Sequence, residues 1–209
     1  MECSENNAPC LRVEDVGNDW LSSVSFELCA GECIVINGPS GVGKSILLRA
    51  IADLDKHTGK VSLDNQVCEI IPAIQWRKQV GLLVADSAWW GERVGEHMPE
   101  LEPEQLAVLG FDEGVMDWSV DRLSTGEKQR LALLRVLVNK PKILLLDEPT
   151  ANLDPGSVAK VEELLLEYCR SRPAGLVWVS HDPDQAGRVA DRTYRLDRDG
   201  LKRADNKHD

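Results

Sequence analysis

The chain has 209 residues, enough for one compact domain with a small subdomain, and 43% of them are hydrophobic, enough for a core. With 35 acidic against 24 basic side chains its formal charge is −11 and its isoelectric point is near 4.9, which argues against nucleic acid as a partner, since phosphate backbones need basic stripes. No apolar run approaches the ~20 residues of a membrane-spanning helix, and Met1 to Glu5 have neither the basic nor the apolar region of a signal peptide. A cytoplasmic chain is expected, with any membrane link made through a partner.

From Leu11 to about Leu28 apolar and polar residues alternate, as in Val24-Ser25-Phe26-Glu27-Leu28, which reads as a half-buried strand. Glu32 to Asn37 reads as a buried strand feeding a glycine-rich loop, Gly38-Pro39-Ser40-Gly41-Val42-Gly43-Lys44-Ser45, and Ile46 to Ala52 continue as a helix. Strand, glycine loop and helix are the context that a phosphate-binding loop requires. Gly38, Gly41 and Gly43 permit a tight turn whose N–H groups point at phosphate oxygens, Lys44 reaches the β- and γ-phosphates, and the Ser45 hydroxyl ligates Mg²⁺.

Gly59 to Asp64 reads as a further strand and Val80 to Val84 as a short buried one. The character changes from about Ser87 to Arg122, where Trp89-Trp90, Pro99, Pro103 and many acidic residues fit a small helical subdomain set into the core. Thr125 to Val138 is an amphipathic helix stopped by Pro141, and the aliphatic run Ile143 to Leu146 is a buried strand that ends in Asp147-Glu148. Val158 to Cys169 is another helix, Gly175 to Ser180 another buried strand, and residues 201–209 a hydrophilic tail that includes His208. His57 and His97 read as surface residues. The six cysteines (Cys3, Cys10, Cys29, Cys33, Cys68, Cys169) form no C-x-x-C pair and read as small buried hydrophobes or surface thiols, not as a zinc site.

Asp147 closes an aliphatic strand, so its carboxylate emerges at the C-terminal sheet edge where ligands bind, placed to hold Mg²⁺ through water. Glu148 beside it can orient or deprotonate an attacking water. His181 ends another buried strand on the same edge and suits a γ-phosphate contact.

Together with Leu123-Ser124-Thr125-Gly126-Glu127, these motifs resemble, from about Leu11 to Gly200, the nucleotide-binding subunit of an ATP-binding cassette (ABC) transporter. Leu123 to Glu127 resembles the family's LSGGQ signature, Ala151-Asn152-Leu153-Asp154 its D-loop and His181 its switch histidine. The resemblance implies an α/β fold: a P-loop NTPase (RecA-like) core at about 11–86 and 123–200, an antiparallel β subdomain, and an inserted helical subdomain at about 87–122. It implies ATP and Mg²⁺ as ligands, with Lys44, Glu148 and His181 catalytic. It also implies a homodimer or heterodimer in which Ser124 and Gly126 contact the γ-phosphate of ATP held by the other subunit, with Asp154 of the D-loop a further nucleotide-binding residue. The partner implied is an integral membrane permease on whose cytoplasmic side the subunit sits. The runs from Glu127 to Arg130 and from Trp178 to Asp182 look similar to small bacterial cassettes such as the iron-export ATP-binding subunit. The alternative, a soluble ABC-type ATPase, usually carries a long coiled coil between these two motifs, a zinc module or a second cassette, and the interval from Lys44 to Asp147 has no room for such an insertion.

Several positions depart from the family pattern. Thr125 stands for a glycine, Glu127 for a glutamine, and Ile46, next to the phosphate loop, for a threonine that would offer a hydroxyl to the α-phosphate. At the Q-loop, Ala85-Asp86 stands where the metal-sensing glutamine belongs, so Asp86 either takes over a Mg²⁺ or water contact or is a solvated carboxylate. Trp20 either stacks on adenine or packs in the core. Trp89-Trp90 either meets a coupling helix of the membrane subunit or is buried within the helical subdomain.

Overall fold

The computed structural model describes residues 9–99, 101 and 103–204. Cys3, His208 and the first five residues lie outside them. In chain order the chain builds β1 (Pro9–Asn18), β2 (Leu21–Cys29), β3 (Cys33–Asn37), α1 (Lys44–Ile51), β4 (Thr58–Leu63), β5 (Gln66–Val67), α2 (Ala73–Gln79) and β6 (Val80–Leu83). It continues with α3 (Pro103–Val108), α4 (Thr125–Leu137), β7 (Ile143–Asp147), α5 (Pro155–Ser171), β8 (Gly175–Val179), α6 (Pro183–Val189), β9 (Arg192–Asp197) and β10 (Gly200–Ala204).

The alternation from Leu11 to Leu28 belongs to two strands, which corrects the single strand expected there. Asn18 breaks it: its side-chain oxygen accepts from the Trp20 N–H at 2.9 Å, and the chain reverses so that Asn18 pairs with Leu21. This hairpin joins β4 and β5 in an antiparallel sheet of order β2-β1-β4-β5. A second sheet, of order β10-β9-β3-β8-β7-β6, is parallel from β9 to β6 and carries β10 antiparallel at one edge. β10 corrects the start of the expected tail, because Leu201 to Ala204 pair with β9.

Alternation along β3, β7 and β8 divides the core into two layers. Ile34, Ile36, Ile143, Leu145, Val177 and Val179 face α1 and the hairpin sheet. Cys33, Val35, Leu144, Leu146, Leu176 and Trp178 face α4, α5 and α6. A parallel strand covered on both faces needs apolar residues at every position, which is why β7 reads as an unbroken aliphatic run. The 87–122 segment is built of short turns of helix, and its Val94, Met98, Leu106, Leu109 and Val115 merge into the layer under α4.

α2 was not foreseen. Pro72 starts it, and it buries Trp76, whose indole N–H donates to Ile51 O at 2.9 Å. His97 is also a correction: it is 7% exposed, wedged edge-on against both tryptophans, with ring centroids 4.8 Å from Trp89 and 4.4 Å from Trp90. Cys10, Cys33, Cys68 and Cys169 are buried thiols as expected.

Candidate active site

Strands β3, β8 and β7 are adjacent and parallel, so the loops leaving their C-terminal ends open on one edge of the sheet. These loops carry the phosphate loop, His181 and Asp147-Glu148, which brings four of the expected groups together. Lys44 is buried at the start of α1, and its ammonium folds back to donate to the carbonyls of Gly38 at 2.9 Å and Pro39 at 3.0 Å. Burial lowers its pKa, against the opposing pull of the Glu148 and Asp147 charges. Ser45 is exposed beside it, whereas Ile46 turns into the core and offers no polar atom.

Glu148 follows the buried Asp147 with a left-handed backbone, φ 49°, unusual for a residue with a side chain. That turn is held by its N–H, which donates to Val179 O at 3.1 Å. It aims the carboxylate at His181, whose Nε2 lies 2.9 Å from Glu148 Oε1. Backbone strain of this kind, persisting beside a close carboxylate–imidazole contact, is a mark of functional sites.

Gly38 has φ 151°, and a Cβ there would lie 2.3 Å from the carbonyl oxygen of Leu196. The phosphate loop therefore rests directly on β9, a close approach that only glycine permits. A cavity of about 630 Å³ opens over the loop, lined among others by Trp20, Leu21, Ser40, Gly41, Val42 and Arg198. Trp20 is 80% exposed on the hairpin turn, so core packing is not its role.

The signature segment is placed differently. Ser124 caps α4 in a reciprocal box: its hydroxyl donates to Glu127 Oε2 at 2.6 Å and accepts from the Glu127 N–H at 3.3 Å, while its own N–H donates to the same carboxylate at 2.8 Å. The Ser124 hydroxyl, ahead of its backbone N–H, holds the Glu127 pKa down. Glu127, read as a departure, is thus the second half of a capping box, a signal already present in the S-x-x-E spacing. Thr125 is exposed, while a Cβ on Gly126 would meet Asn152 O at 3.0 Å. Neither Ser124 nor Gly126 lines the cavity over the phosphate loop. Asp154 spends its carboxylate on capping α5, accepting from Gly156 N at 3.0 Å and Ser157 N at 3.1 Å.

Asp86 is exposed on the loop after β6, and among the described residues no group of three or more His, Cys, Asp or Glu side chains could hold a metal. The two tryptophans divide the roles foreseen for them. Trp89 packs against the helical layer, whereas Trp90 is 74% exposed, and the Arg135 guanidinium stacks on both rings at 4.9 and 5.1 Å. Trp90, His97, Met98, Arg77, Arg135 and Leu54 line a groove of about 560 Å³ between the sheet core and the helical segment.

Sequence reading missed a polar group behind His181, made of the buried Gln185 and Glu162 and the half-buried Thr150. Nothing local in the sequence marks it, because its members come from three elements.

The family model described as "ABC transporter" matches residues 21–151. Protein STAR1 of Oryza sativa subsp. japonica is 36% identical over 194 residues, covering 86% of this chain and 56% of that protein. The probable iron export ATP-binding protein FetA of Escherichia coli (strain K12) is 33% identical over 200 residues, covering 87% of this chain and 88% of that protein. A bacterial Atm1-family ABC exporter with ATP bound superposes with a TM-score of 0.80 at 25% identity, over 93% of this chain and 38% of that one. The chain thus spans about half of the rice relative and less of the exporter.

Proposed function

Because this chain belongs to the ABC transporter family, we propose that it hydrolyses MgATP held between two ATPase subunits and so drives transport through a separate membrane subunit. Members of the family bind ATP, and their ATP-binding subunits hydrolyse it to power transport. The observation that carries the assignment here is the Glu148–His181 pair, 2.9 Å apart on the sheet edge that also holds Lys44 and Asp147.

The backbone from Gly38 to Ser45 cradles the phosphates at the positive end of α1, and Lys44 leaves its carbonyl partners for the outer phosphate oxygens. Glu148 takes the proton of the attacking water, and His181 holds both Glu148 and the γ-phosphate in place. The donors present fit Mg²⁺, a small hard cation: the Ser45 hydroxyl and the Asp147 carboxylate, with phosphate oxygens and water to complete its shell. Asp86 is assigned a water-mediated contact to it. Bound there, Mg²⁺ would neutralise charge developing on the phosphate oxygens. Phosphate release from MgATP is expected to fall to background on adding EDTA; an unchanged rate would remove the metal from the scheme.

Adenine stacks on Trp20, a reading supported by the exposed indole at the mouth of the phosphate-loop cavity. Stacking of a base on an aromatic ring contributes about 1–3 kcal/mol. Trp20→Ala is therefore expected to weaken ATP binding by about fivefold or more in a fluorescent-nucleotide titration, without changing the unfolding temperature. Unchanged affinity would rule the stack out.

Ser124 and Gly126 serve the nucleotide of the second subunit, a reading supported by their absence from the lining of this chain's own phosphate-loop cavity, and Asp154 is a further nucleotide-binding residue. Among the described residues no helix is long and apolar enough to cross a membrane. The membrane permease docks in the groove beside Trp90, where an exposed indole and two guanidinium groups offer an anchor for a short helix.

A further inference from the structure

We propose that Gln185 is a positioning residue: it ties the loop that carries His181 to the loop that follows Glu148, and so sets the geometry of the pair between them. The proposal rests on the ATPase reading above for its kinetic consequence, though not for its structural one.

Gln185 lies in α6, is 2% exposed, and uses both ends of its amide. Its Oε1 accepts from the Ser180 hydroxyl at 2.8 Å, and the same hydroxyl accepts from the Asp182 N–H at 3.0 Å. Ser180 and Asp182 flank His181, so one oxygen fixes the chain on both sides of the imidazole. The Gln185 Nε2 donates to Thr150 Oγ1 at 2.9 Å and to Glu162 Oε1 at 2.9 Å. Thr150 is two residues beyond Glu148. Glu162, on α5, is 8% exposed and also receives Arg188 at 2.7 and 3.0 Å. Burial raises its pKa, but the hydrogen bonds from Arg188 and Gln185 outweigh this and keep it a carboxylate.

The network is directional. A carboxylate at Glu162 accepts only, so the group facing it must donate, and the Ser180 hydroxyl, once it has accepted from Asp182, must find an acceptor. A primary amide is the one side chain of this length that does both. A buried network of this kind fixes one arrangement when it is complete and loses it when one member is removed. The exposed pair Glu148–His181 has no other buried side chain spanning its two loops among the described residues.

Gln185→Leu deletes both ends of the bridge at nearly constant volume, and Gln185→Glu sets a second acceptor against Glu162. In either variant kcat for MgATP hydrolysis is expected to fall by about tenfold, equivalent to about 1.4 kcal/mol in the barrier. KM is expected to stay within about threefold, since Trp20 and the phosphate loop are untouched. Gln185→Glu combined with Glu162→Gln transposes the donor and is expected to recover part of kcat. Thr150→Val removes one arm at the surface and keeps the test open if a Gln185 variant does not fold. The His181 imidazole NMR signal, read without nucleotide, is expected to move in Gln185→Leu and in Thr150→Val. Wild-type kcat and a wild-type His181 signal in these folded variants would overturn the proposal. A wild-type chain without ATPase activity, in which the His181 signal still moves, would instead overturn the ATPase reading and leave the bridge standing.

Discussion

Glu148→Gln is expected to lower phosphate release from MgATP at least about 100-fold while leaving ATP affinity near its wild-type value, since removing a positioned general base costs two to four orders of magnitude. The amide keeps the shape and one acceptor oxygen but no longer takes a proton from water. It can still sit 2.9 Å from His181 Nε2, so the loop geometry set by the left-handed backbone at 148 is retained. Single-turnover and steady-state phosphate release check this directly. A variant that hydrolyses at the wild-type rate would show that proton transfer runs through another group, and Asp147 would be the next to test.

Gly38→Ala is expected to be the most damaging change in the phosphate loop. A methyl at 38 would lie 2.3 Å from Leu196 O, and φ 151° is a conformation that side chains resist. Strain and overpacking together cost about 2–5 kcal/mol, and the loop can relieve them only by lifting off β9, which disorganises the N–H groups that hold phosphate. Gly41 provides the contrast. Its φ is 75°, but a Cβ there meets nothing within 4 Å, so Gly41→Ala carries only the backbone penalty of about 1–2 kcal/mol. Chemical unfolding of both proteins, with ATP binding measured on each, separates the two cases. Equal stability losses would mean that contact with β9 does not constrain the loop.

The phosphate loop, the strand ending in Asp147-Glu148 and the strand delivering His181 were legible because each is a contiguous run with its own local physics. Buried parallel strands demand unbroken apolar residues, and a glycine loop between strand and helix has few other uses. The hairpin was half legible. Its alternation was plain, but the reversal depends on a single Asn18 side chain closing a turn at Trp20. The burial of His97 is not legible because it comes from Trp89 and Trp90 folding around it, a contact that no spacing announces. Glu127 stands where the family pattern has a glutamine, yet its distance from Ser124 spells a capping box. The Gln185 bridge joins β8, α5 and the loop after β7, and only the assembled sheet edge brings those together. Trp89 and Trp90, adjacent in sequence, turned to opposite environments, so a reading of the pair as one unit had no means to divide them.

We propose, as the central claim, that half of each ATP site comes from a second copy of this chain, because Ser124 and Gly126 do not line the cavity over their own phosphate loop. Light-scattering mass of the Glu148→Gln protein, with and without MgATP, tests it most directly. The account predicts one chain of 23.2 kDa without nucleotide and twice that mass with MgATP, with Ser124→Arg abolishing the change. A protein that binds MgATP and remains at the mass of one chain would contradict it.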